Sequence, residues 1–480
     1  MAVDVLVIGA GISGLGAAYH LQAECPGKSY AILEAREKLG GTWDLFRYPG
    51  IRSDSDMYTF GYSFKPWTHP KSIADGPSIR AYLEETARES GIDGHICYQH
   101  RAIKAAWSSE DALWTIEVER GPGRESVLYR CRFLYLCAGY YNYAHGHSPE
   151  FAGSGRFDGR IVHPQQWTDD IDYAGKRVVV IGSGATAVTL VPELARTAAH
   201  VTMLQRSPTY LLSRPAQDKL ANLLRRFLPG KLAYAINRWK YVFQVLLFFK
   251  LARSWPSLTK WLLIAMARAE LDPGYDVATH FTPRYNPWQQ RVCLVPDSDF
   301  FQAIKSGKAS VVTDQIISFT EKGIALESGN SLEADLIVTA TGLELQMLGG
   351  LELTVDGRRA DISRCLQYKG MMFSGIPNLA SCFGYTNASW TLKSDLSSEY
   401  LCRLLKYMDQ SGFRQCTPKL VDPAMETEPF VDFSSGYFER AAARLPRQGS
   451  RRPWKLQQNY VLDIVTLRFG KVNDGTMAFT

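Results

Sequence analysis

The chain has 480 residues, 46% hydrophobic and 21% charged, which is the balance of an ordinary globular protein. Its net charge of +6 is too weak a bias to indicate nucleic-acid binding, and we predict no nucleic-acid partner. The nine cysteines include no CxxC pair, so we expect reduced thiols in a cytoplasmic protein. We predict no signal peptide, no transmembrane helix and no metal site.

A glycine-rich turn follows the first apolar run of the chain, at 5–8. Gly9, Gly11 and Gly14 have the GxGxxG spacing of a dinucleotide-binding turn, and a predicted helix begins there. The start of that helix offers N–H donors to phosphate groups. Glu34 comes 20 residues after Gly14, at the end of the next predicted strand, where an acid accepts hydrogen bonds from ribose hydroxyls. This βαβ unit predicts a site for FAD.

A second unit of the same kind begins near residue 178. Gly182 and Gly184 are followed by Ala187, a residue that the third position of the fingerprint allows. Gln205 and Arg206 stand where the first unit has Glu34. Because an arginine pairs with a 2′-phosphate that an acid would repel, the second unit predicts NADPH rather than NADH.

Two more apolar runs end in a glycine turn, at 133–139 and 336–342, and we expect each to close one of the two folds. The predicted fold class is therefore α/β, with two doubly wound, Rossmann-like domains, one interrupting the other. The chain then divides into five segments. The FAD domain takes 1–145 and, with the substrate-facing segment, 344–480. The NADPH domain takes 146–209 and 286–343, and a helical insertion takes 210–285.

Residues 216–268 depart from the α/β pattern. They hold ten Lys or Arg and one acid, Asp218, and they are rich in Leu, Trp and Phe. Three interpretations stay open: a lid that also serves a homo-oligomer interface, peripheral contact with an anionic membrane, and helices packed on the protein with a solvated basic face.

Two nucleotide folds in one chain predict electron transfer from NADPH to a bound flavin. Disulfide reductases of this architecture need a redox cysteine pair beside the flavin, and no such pair follows Glu34. Dioxygen is then the expected electron acceptor. A nucleotide-sensing protein without chemistry is the alternative from another class, and the intact glycines argue against it.

Three further motifs stand out: Gly-Gly-Thr-Trp at 40–43, Arg-Tyr-Pro-Gly at 47–50 with Asp54, and Phe-x-Gly-x-x-x-His-x-x-x-Trp at 157–167. They resemble the class B flavoprotein monooxygenases, and the last of them is similar to the Baeyer–Villiger fingerprint. After Trp167 the family usually has Pro or Asp, whereas this chain has Thr168 and then Asp169. Segments 42–58, 182–192 and 384–393 are similar to the subgroup of the mycobacterial ethionamide-activating monooxygenase.

The resemblance implies an FAD- and NADPH-dependent Baeyer–Villiger monooxygenase. In that family reduced FAD adds dioxygen to form a C4a-peroxyflavin, which attacks a ketone to give an ester or lactone. The same oxidant oxygenates sulfur, so thioethers or thioamides are further expected substrates beside hydrophobic ketones. A heteroatom-only (S or N) flavin-containing monooxygenase is the alternative.

The resemblance also implies roles for single residues. Arg291 matches the subgroup's active-site arginine, and Asp54 matches the acid that orients it, with Asp56 as a competitor. His163 lies in the linker before the second fold, where a hinge role is expected. Asn387 is a candidate substrate contact. Further candidates are Trp390, also for substrate, Gly41, Thr42, Trp43 and Asp44 for FAD, and Ala185 and Thr186 for NADPH; both tryptophans could instead be ordinary core residues.

Overall fold

The computed structural model describes residues 1–422 and 424–480. It is a mixed α/β structure whose helices, in chain order, are α1 Ile12–Glu24, α2 Thr42–Leu45, α3 Met57–Phe60, α4 Gly76–Glu89, α5 Ala185–Leu194, α6 Lys219–Phe227, α7 Gly230–Ser254, α8 Pro256–Ala269, α9 Val277–His280, α10 Asp299–Lys305, α11 Trp390–Ser411, α12 Gly436–Ala441 and α13 Tyr460–Asp463. A π-helical turn, Ile464–Phe469, continues α13.

The strands range in length from two residues to twelve. In chain order they are β1 Ala2–Ile8, β2 Tyr30–Leu33, β3 Ile96–Cys97, β4 His100–Ser108, β5 Leu113–Arg120, β6 Glu125–Leu136, β7 Arg160–Val162, β8 Arg177–Ile181, β9 His200–Gln205, β10 Tyr210–Arg214, β11 Val292–Pro296, β12 Ala309–Thr313, β13 Ile316–Thr320, β14 Gly323–Leu326, β15 Ser331–Glu333, β16 Leu336–Thr339, β17 Glu352–Val355, β18 Arg358–Arg359, β19 Gln367–Tyr368, β20 Met372–Phe373, β21 Leu379–Ser381, β22 Cys416–Pro418, β23 Thr427–Pro429, β24 Arg447–Gly449 and β25 Met477–Phe479.

The first sheet has the order β18-β17-β4-β5-β6-β1-β2-β3, and β21 also pairs with β6. Strands β1, β2, β3, β6 and β21 run parallel, whereas β4, β5 and β6 form an antiparallel meander. The parallel strands are buried and apolar where they pair, at 5–8, 30–33 and 133–136, and core residues pack on both faces of the sheet there. β6 pairs with β1, so the run at 133–139 closes this fold as predicted.

The second sheet is entirely parallel and has the order β12-β9-β8-β16-β7. β16 pairs with β8 from Leu336 to Thr339, so the run at 336–342 closes the second fold as predicted. In both sheets the glycine-rich turn follows the carboxyl end of a central strand, β1 or β8, at the edge where such folds bind ligands. The predicted pair of doubly wound folds is thus present.

Segment 210–285 is not helical throughout. It begins with β10, which pairs in parallel with β11, and its helices α6 to α9 start only at Lys219. The partner strand lies about 80 residues further along the chain, so the local sequence pattern carried no sign of it. No helix within the described ranges is both long enough and apolar enough to cross a bilayer.

Candidate active site

One cavity of about 840 Å³ lies where the two glycine-rich turns face each other. Both turns line it, together with the motif at 40–55, the turns after β6 and β16, Arg291, and the start of α12. The carboxyl ends of both parallel sheets therefore open into a single space. Dinucleotides bound at the two turns would therefore share this cavity.

The first turn has the shape that a pyrophosphate needs. Gly9 has a φ of +104°, and a Cβ on it would lie 2.7 Å from the carbonyl oxygen of Cys137 at the end of β6. A Cβ on Gly14 would lie 1.8 Å from the carbonyl oxygen of Gly9, so only glycine fits there. Gly11 begins α1 without a side-chain cap, and Gly41 approaches it closely. The free N–H groups of this helix end fit the FAD phosphates.

The second turn repeats this geometry. Gly182 has a φ of +131°, and its Cβ would lie 2.4 Å from the carbonyl oxygen of Ala340 at the end of β16. Gly184 begins α5, again without a side-chain cap. Ala185 and Thr186 follow in the first turn of α5 and line the cavity. These residues fit a second dinucleotide.

Glu34 and Asp44 lie behind the cavity wall rather than on it. The Glu34 carboxylate accepts hydrogen bonds from the Ala10 N–H at 2.8 Å and the Arg36 N–H at 2.9 Å. Arg36 also donates to Asp44 at 2.7 Å, and Arg47 approaches that carboxylate from the other side. Asp44 therefore anchors Arg36 and does not line the cavity.

Arg206 follows β9 and lines the cavity as an exposed side chain with no acidic partner among the described residues. Its neighbour Gln205 is buried and donates to the carbonyl oxygen of His280 and to the hydroxyl of Thr313. Gln205, at the position that holds an acid in the first fold, therefore binds neighbouring segments of the protein. The free guanidinium of Arg206 next to it fits a 2′-phosphate.

Arg291 and Asp54 meet inside the cavity. The Arg291 Nη1 donates to Asp54 Oδ2 at 3.2 Å, and each side chain is about a third exposed, at 35% and 37%. Arg291 precedes β11, and Asp54 belongs to the long loop that follows α2, so the pair joins segments 237 residues apart. A guanidinium stays charged at every working pH, so this pair places a fixed cation facing the cavity.

Asp56, the sequence competitor of Asp54, has a different function. It caps α3, where its carboxylate accepts from the Thr59 N–H at 2.9 Å and the Thr59 hydroxyl at 2.7 Å. Burial raises the pKa of Asp56 to about 6, and these hydrogen bonds offset burial only in part. Asp56 is 6% exposed and absent from the cavity wall, so Asp54 is the residue that faces Arg291.

The raised pKa of Asp56 predicts a pH-dependent effect of Asp56→Asn. The Asp56 carboxyl binds its proton more tightly in the folded state than in the unfolded state. Protonated Asp56 therefore stabilises the fold fully below about pH 4, and this stabilisation is lost as the pH rises through about 6. Because asparagine also caps helices, we expect Asp56→Asn to stabilise the fold by up to about 3 kcal/mol at neutral pH. The thermal midpoints of both proteins, measured from pH 4.5 to pH 8, check this.

Asp75→Asn is the matched control, since Asp75 caps α4 through the same contact but is half-exposed. A gain for Asp56→Asn that is equal at pH 4.5 and pH 8 would contradict the prediction.

The candidate flavin and substrate contacts separate into two groups. Trp43 and Trp390 line the cavity, and the indole N–H of Trp390 donates to the Ser13 hydroxyl at 2.7 Å. Thr42 also lines it beside Tyr143, whose pKa burial raises to about 12. Asn387 does not line the cavity.

The structure does not support a substrate contact by Asn387. Its side-chain nitrogen donates to the Gln458 carbonyl oxygen at 2.9 Å, so the amide faces the C-terminal segment instead of the cavity. The sequence pattern at 384–393 showed which segment reaches the site but not which side of it faces inward.

His163 contacts both segments that connect the two folds, one at Gly146 and the other at Gly342. Its Nε2 donates to the Gly342 carbonyl oxygen at 3.1 Å, and its Nδ1 accepts from the Gln165 N–H at 3.2 Å. A Cβ on Gly146 would lie 2.1 Å from the imidazole, so the ring packs flat against that glycine. Burial lowers the pKa of His163, which keeps the ring in the neutral form that these two bonds require.

Four further side chains of the wall were not found from the sequence. The hydroxyls of Tyr140 and Tyr141 are 2.9 Å apart, and Tyr140 stacks on Trp390 at 5.1 Å. Tyr437 and Arg440 come from α12. The two tyrosines follow the closing turn of the first fold, and their position at a strand end could have identified them from the sequence. The sequence of α12 contains no comparable feature.

The comparisons with known proteins agree with this geometry. Residues 2–348 match the family described as flavin-binding monooxygenase-like. The chain belongs to that family. A relative in Mycolicibacterium smegmatis, named FAD-containing monooxygenase EthA, is 54% identical, with 99% of this chain and 97% of the relative covered. The resemblance seen in the sequence is thereby confirmed.

Two solved structures share the fold. One is an oxidized steroid monooxygenase bound to NADP, with a TM-score of 0.76 and 23% identity over 100% of this chain and 99% of that chain. The other is OTEMO in complex with FAD and NADP, with a TM-score of 0.77 and 20% identity over the same shares. The predicted fold class is confirmed, and the cofactors in these names are the two that the sequence predicted.

Proposed function

We propose that this family member is an FAD- and NADPH-dependent Baeyer–Villiger monooxygenase. It converts hydrophobic ketones into esters or lactones and also oxygenates thioethers or thioamides. The observation that carries the proposal is the Arg291–Asp54 pair in the cavity onto which both dinucleotide turns open.

The two nucleotides are assigned to the two turns by their fit. The turn at Gly9 to Gly14, with Glu34 behind it, holds FAD, and the turn at Gly182 to Ala185, with Arg206 beside it, holds NADPH. Bound FAD, once reduced by NADPH, supplies activated dioxygen, one atom of which enters the product while the other leaves as water.

Arg291 stabilises negative charge as the oxygen atom is transferred. Attack on a ketone carbonyl places an anion next to the flavin, and a preorganised guanidinium lowers the energy of that anion without reorganising. Asp54 holds the guanidinium in one orientation through its 3.2 Å hydrogen bond. Arg291 is therefore the residue on which ester formation depends most.

The aromatic part of the cavity wall favours hydrophobic substrates. Trp43, Phe60, Tyr140 and Trp390 line the same cavity as Arg291. Burial raises the pKa of Tyr140 to about 12, so its hydroxyl stays neutral and can donate to a substrate oxygen. An aromatic wall beside a charged Arg291 suits a ketone with a long hydrocarbon part.

The domain division remains a proposal. The first sheet and α11 make 1–145 and 344–480 the FAD domain, and the second sheet makes 146–209 and 286–343 the NADPH domain. His163 fixes both connections through Gly146 and Gly342, and we assign it to the hinge on which the domains move during turnover.

Turnover of a long-chain methyl ketone under ¹⁸O₂ tests the function. We expect NADPH-dependent formation of an ester that carries one labelled oxygen, with one NADPH oxidised for each ester formed. Reactions without ketone, and with NADH in place of NADPH, are the controls. NADPH oxidation that produces only hydrogen peroxide from every ketone would contradict the proposal.

A further inference from the structure

The segment from α6 to α8 carries more of the exposed large apolar side chains than all other described segments together. Twelve of the 22 exposed large apolar side chains of the described residues lie within 220–262. Exposed apolar side chains concentrated in this way indicate a site of interaction. The twelve are Leu220, Leu223, Phe227, Leu232, Ile236, Trp239, Phe243, Leu247, Trp255, Leu258, Trp261 and Leu262.

Helix α7 shows the pattern most clearly, because it is apolar on two opposite faces. Its inner face packs on the FAD domain through Tyr234 and Val242, and the Arg238 guanidinium donates to the carbonyl oxygens of Tyr58 and Gly61, both at 2.8 Å. Its outer face has an unbroken stripe at helical spacing, Leu232, Ile236, Trp239, Phe243 and Leu247, between 41% and 60% exposed. A solvated helix would have polar residues at those positions.

The C-terminal segment extends this surface. Trp239 lies 6.0 Å from Tyr460, ring centre to ring centre, at the start of α13. Beyond Tyr460 the chain exposes Val465 and Phe469, 56% and 72% exposed, with Val461 and Leu462 beside them. We call the exposed side of α6–α8 together with 461–469 the outer apolar face.

Cations without acidic partners lie on the same helices. Lys240 pairs with Asp218 and Arg253 with Asp432, so those charges are neutralised within the protein. Five other exposed cations form no ion pair within the described ranges: Lys219, Arg226, Lys231, Lys250 and Arg268.

We propose that the outer apolar face docks this protein onto an anionic membrane surface. Apolar and aromatic side chains enter the headgroup region, and the free cations bind lipid phosphates. Long basic side chains suit this position, since their hydrocarbon stems lie along the apolar layer while their charges reach the headgroups. The proposal stands independently of the reaction.

The charge of the face argues against its being covered by a second copy of the chain. In a twofold-symmetric dimer the same patch meets itself, so five unpaired cations would face five others. Charges buried at an interface without partners are costly, whereas an anionic lipid surface supplies a partner for each.

Flotation of the full-length protein with vesicles tests the proposal. We expect binding to vesicles of phosphatidylglycerol and phosphatidylcholine mixed equally, at least about tenfold weaker binding to pure phosphatidylcholine, and release by high salt. Arg226→Gln with Lys231→Gln is expected to weaken binding roughly thirtyfold. Phe243→Ser with Leu247→Ser is expected to weaken it by more than about tenfold.

Leu128→Ser with Ile317→Ser is the matched control, because both side chains are 58% exposed and lie on strands away from α6–α8. This variant should bind like the wild type. The proposal is overturned if the wild type does not bind anionic vesicles, or if the control loses as much binding as the Phe243 and Leu247 variant. It is also overturned if that variant instead dissociates an oligomer in sedimentation while the wild type binds no vesicle.

Discussion

Arg291→Ala is expected to lower ester formation from a ketone by about 10³-fold and to leave part of thioether oxygenation intact. Removing one preorganised group from a developing oxyanion costs a rate factor of that order. Sulfur attack forms no such anionic adduct, so it loses less. Rates of labelled ester and labelled sulfoxide, measured on the same preparation with bound FAD quantified from its absorbance, check the prediction.

Two variants at the same pair sharpen this test. Arg291→Lys keeps the charge but loses the planar fork, so ester formation should recover only in part. Asp54→Asn keeps Arg291 but weakens its orientation, so we expect an intermediate loss. If ester and sulfoxide formation survive Arg291→Ala equally, or fall equally, the proposed role of Arg291 is wrong.

Arg206→Ala is expected to raise the KM for NADPH about thirtyfold and to leave the KM for NADH unchanged. A charge-assisted hydrogen bond to the 2′-phosphate contributes about 2 kcal/mol, and NADH has no such phosphate. The free side chain of Arg206 at the cavity wall is the basis for this expectation. Steady-state rates with both nicotinamide cofactors give the two values.

Arg196→Ala is the control for a general change of charge on the NADPH domain. Arg196 is 72% exposed and pairs with Glu193 on α5, away from the cavity wall. Its removal should leave both KM values as they are. An equal rise in the KM for NADPH and the KM for NADH in Arg206→Ala would mean that the guanidinium does not bind the 2′-phosphate.

The parts of the site that depend on local backbone were predictable from the sequence. Gly9, Gly14 and Gly182 each meet a backbone carbonyl that leaves no room for a Cβ, so their spacing reports the turn directly. The apolar runs that close each sheet were visible for a related reason, because a strand buried on both faces is apolar throughout. Fold class and nucleotide turns followed from these signals.

Tertiary packing decided the rest. Asp54 and Asp56 look alike in the sequence, and only the contact with Arg291 distinguishes the cavity residue from the helix cap. Asn387 lies three residues from Trp390, yet it faces Gln458 instead of the cavity. The partner of β10 was equally invisible, because it lies far along the chain. The sequence showed that 216–268 is basic and apolar, but not which face of α7 stays exposed.

The most direct test of the central claim offers a long-chain methyl ketone and a thioether together to the wild-type protein, with NADPH and ¹⁸O₂. Mass spectrometry of the products then reports which acceptor receives the labelled atom. The account predicts labelled ester together with labelled sulfoxide. Labelled sulfoxide without any ester would contradict it and would identify a heteroatom-only monooxygenase in which Arg291 has no part in the reaction.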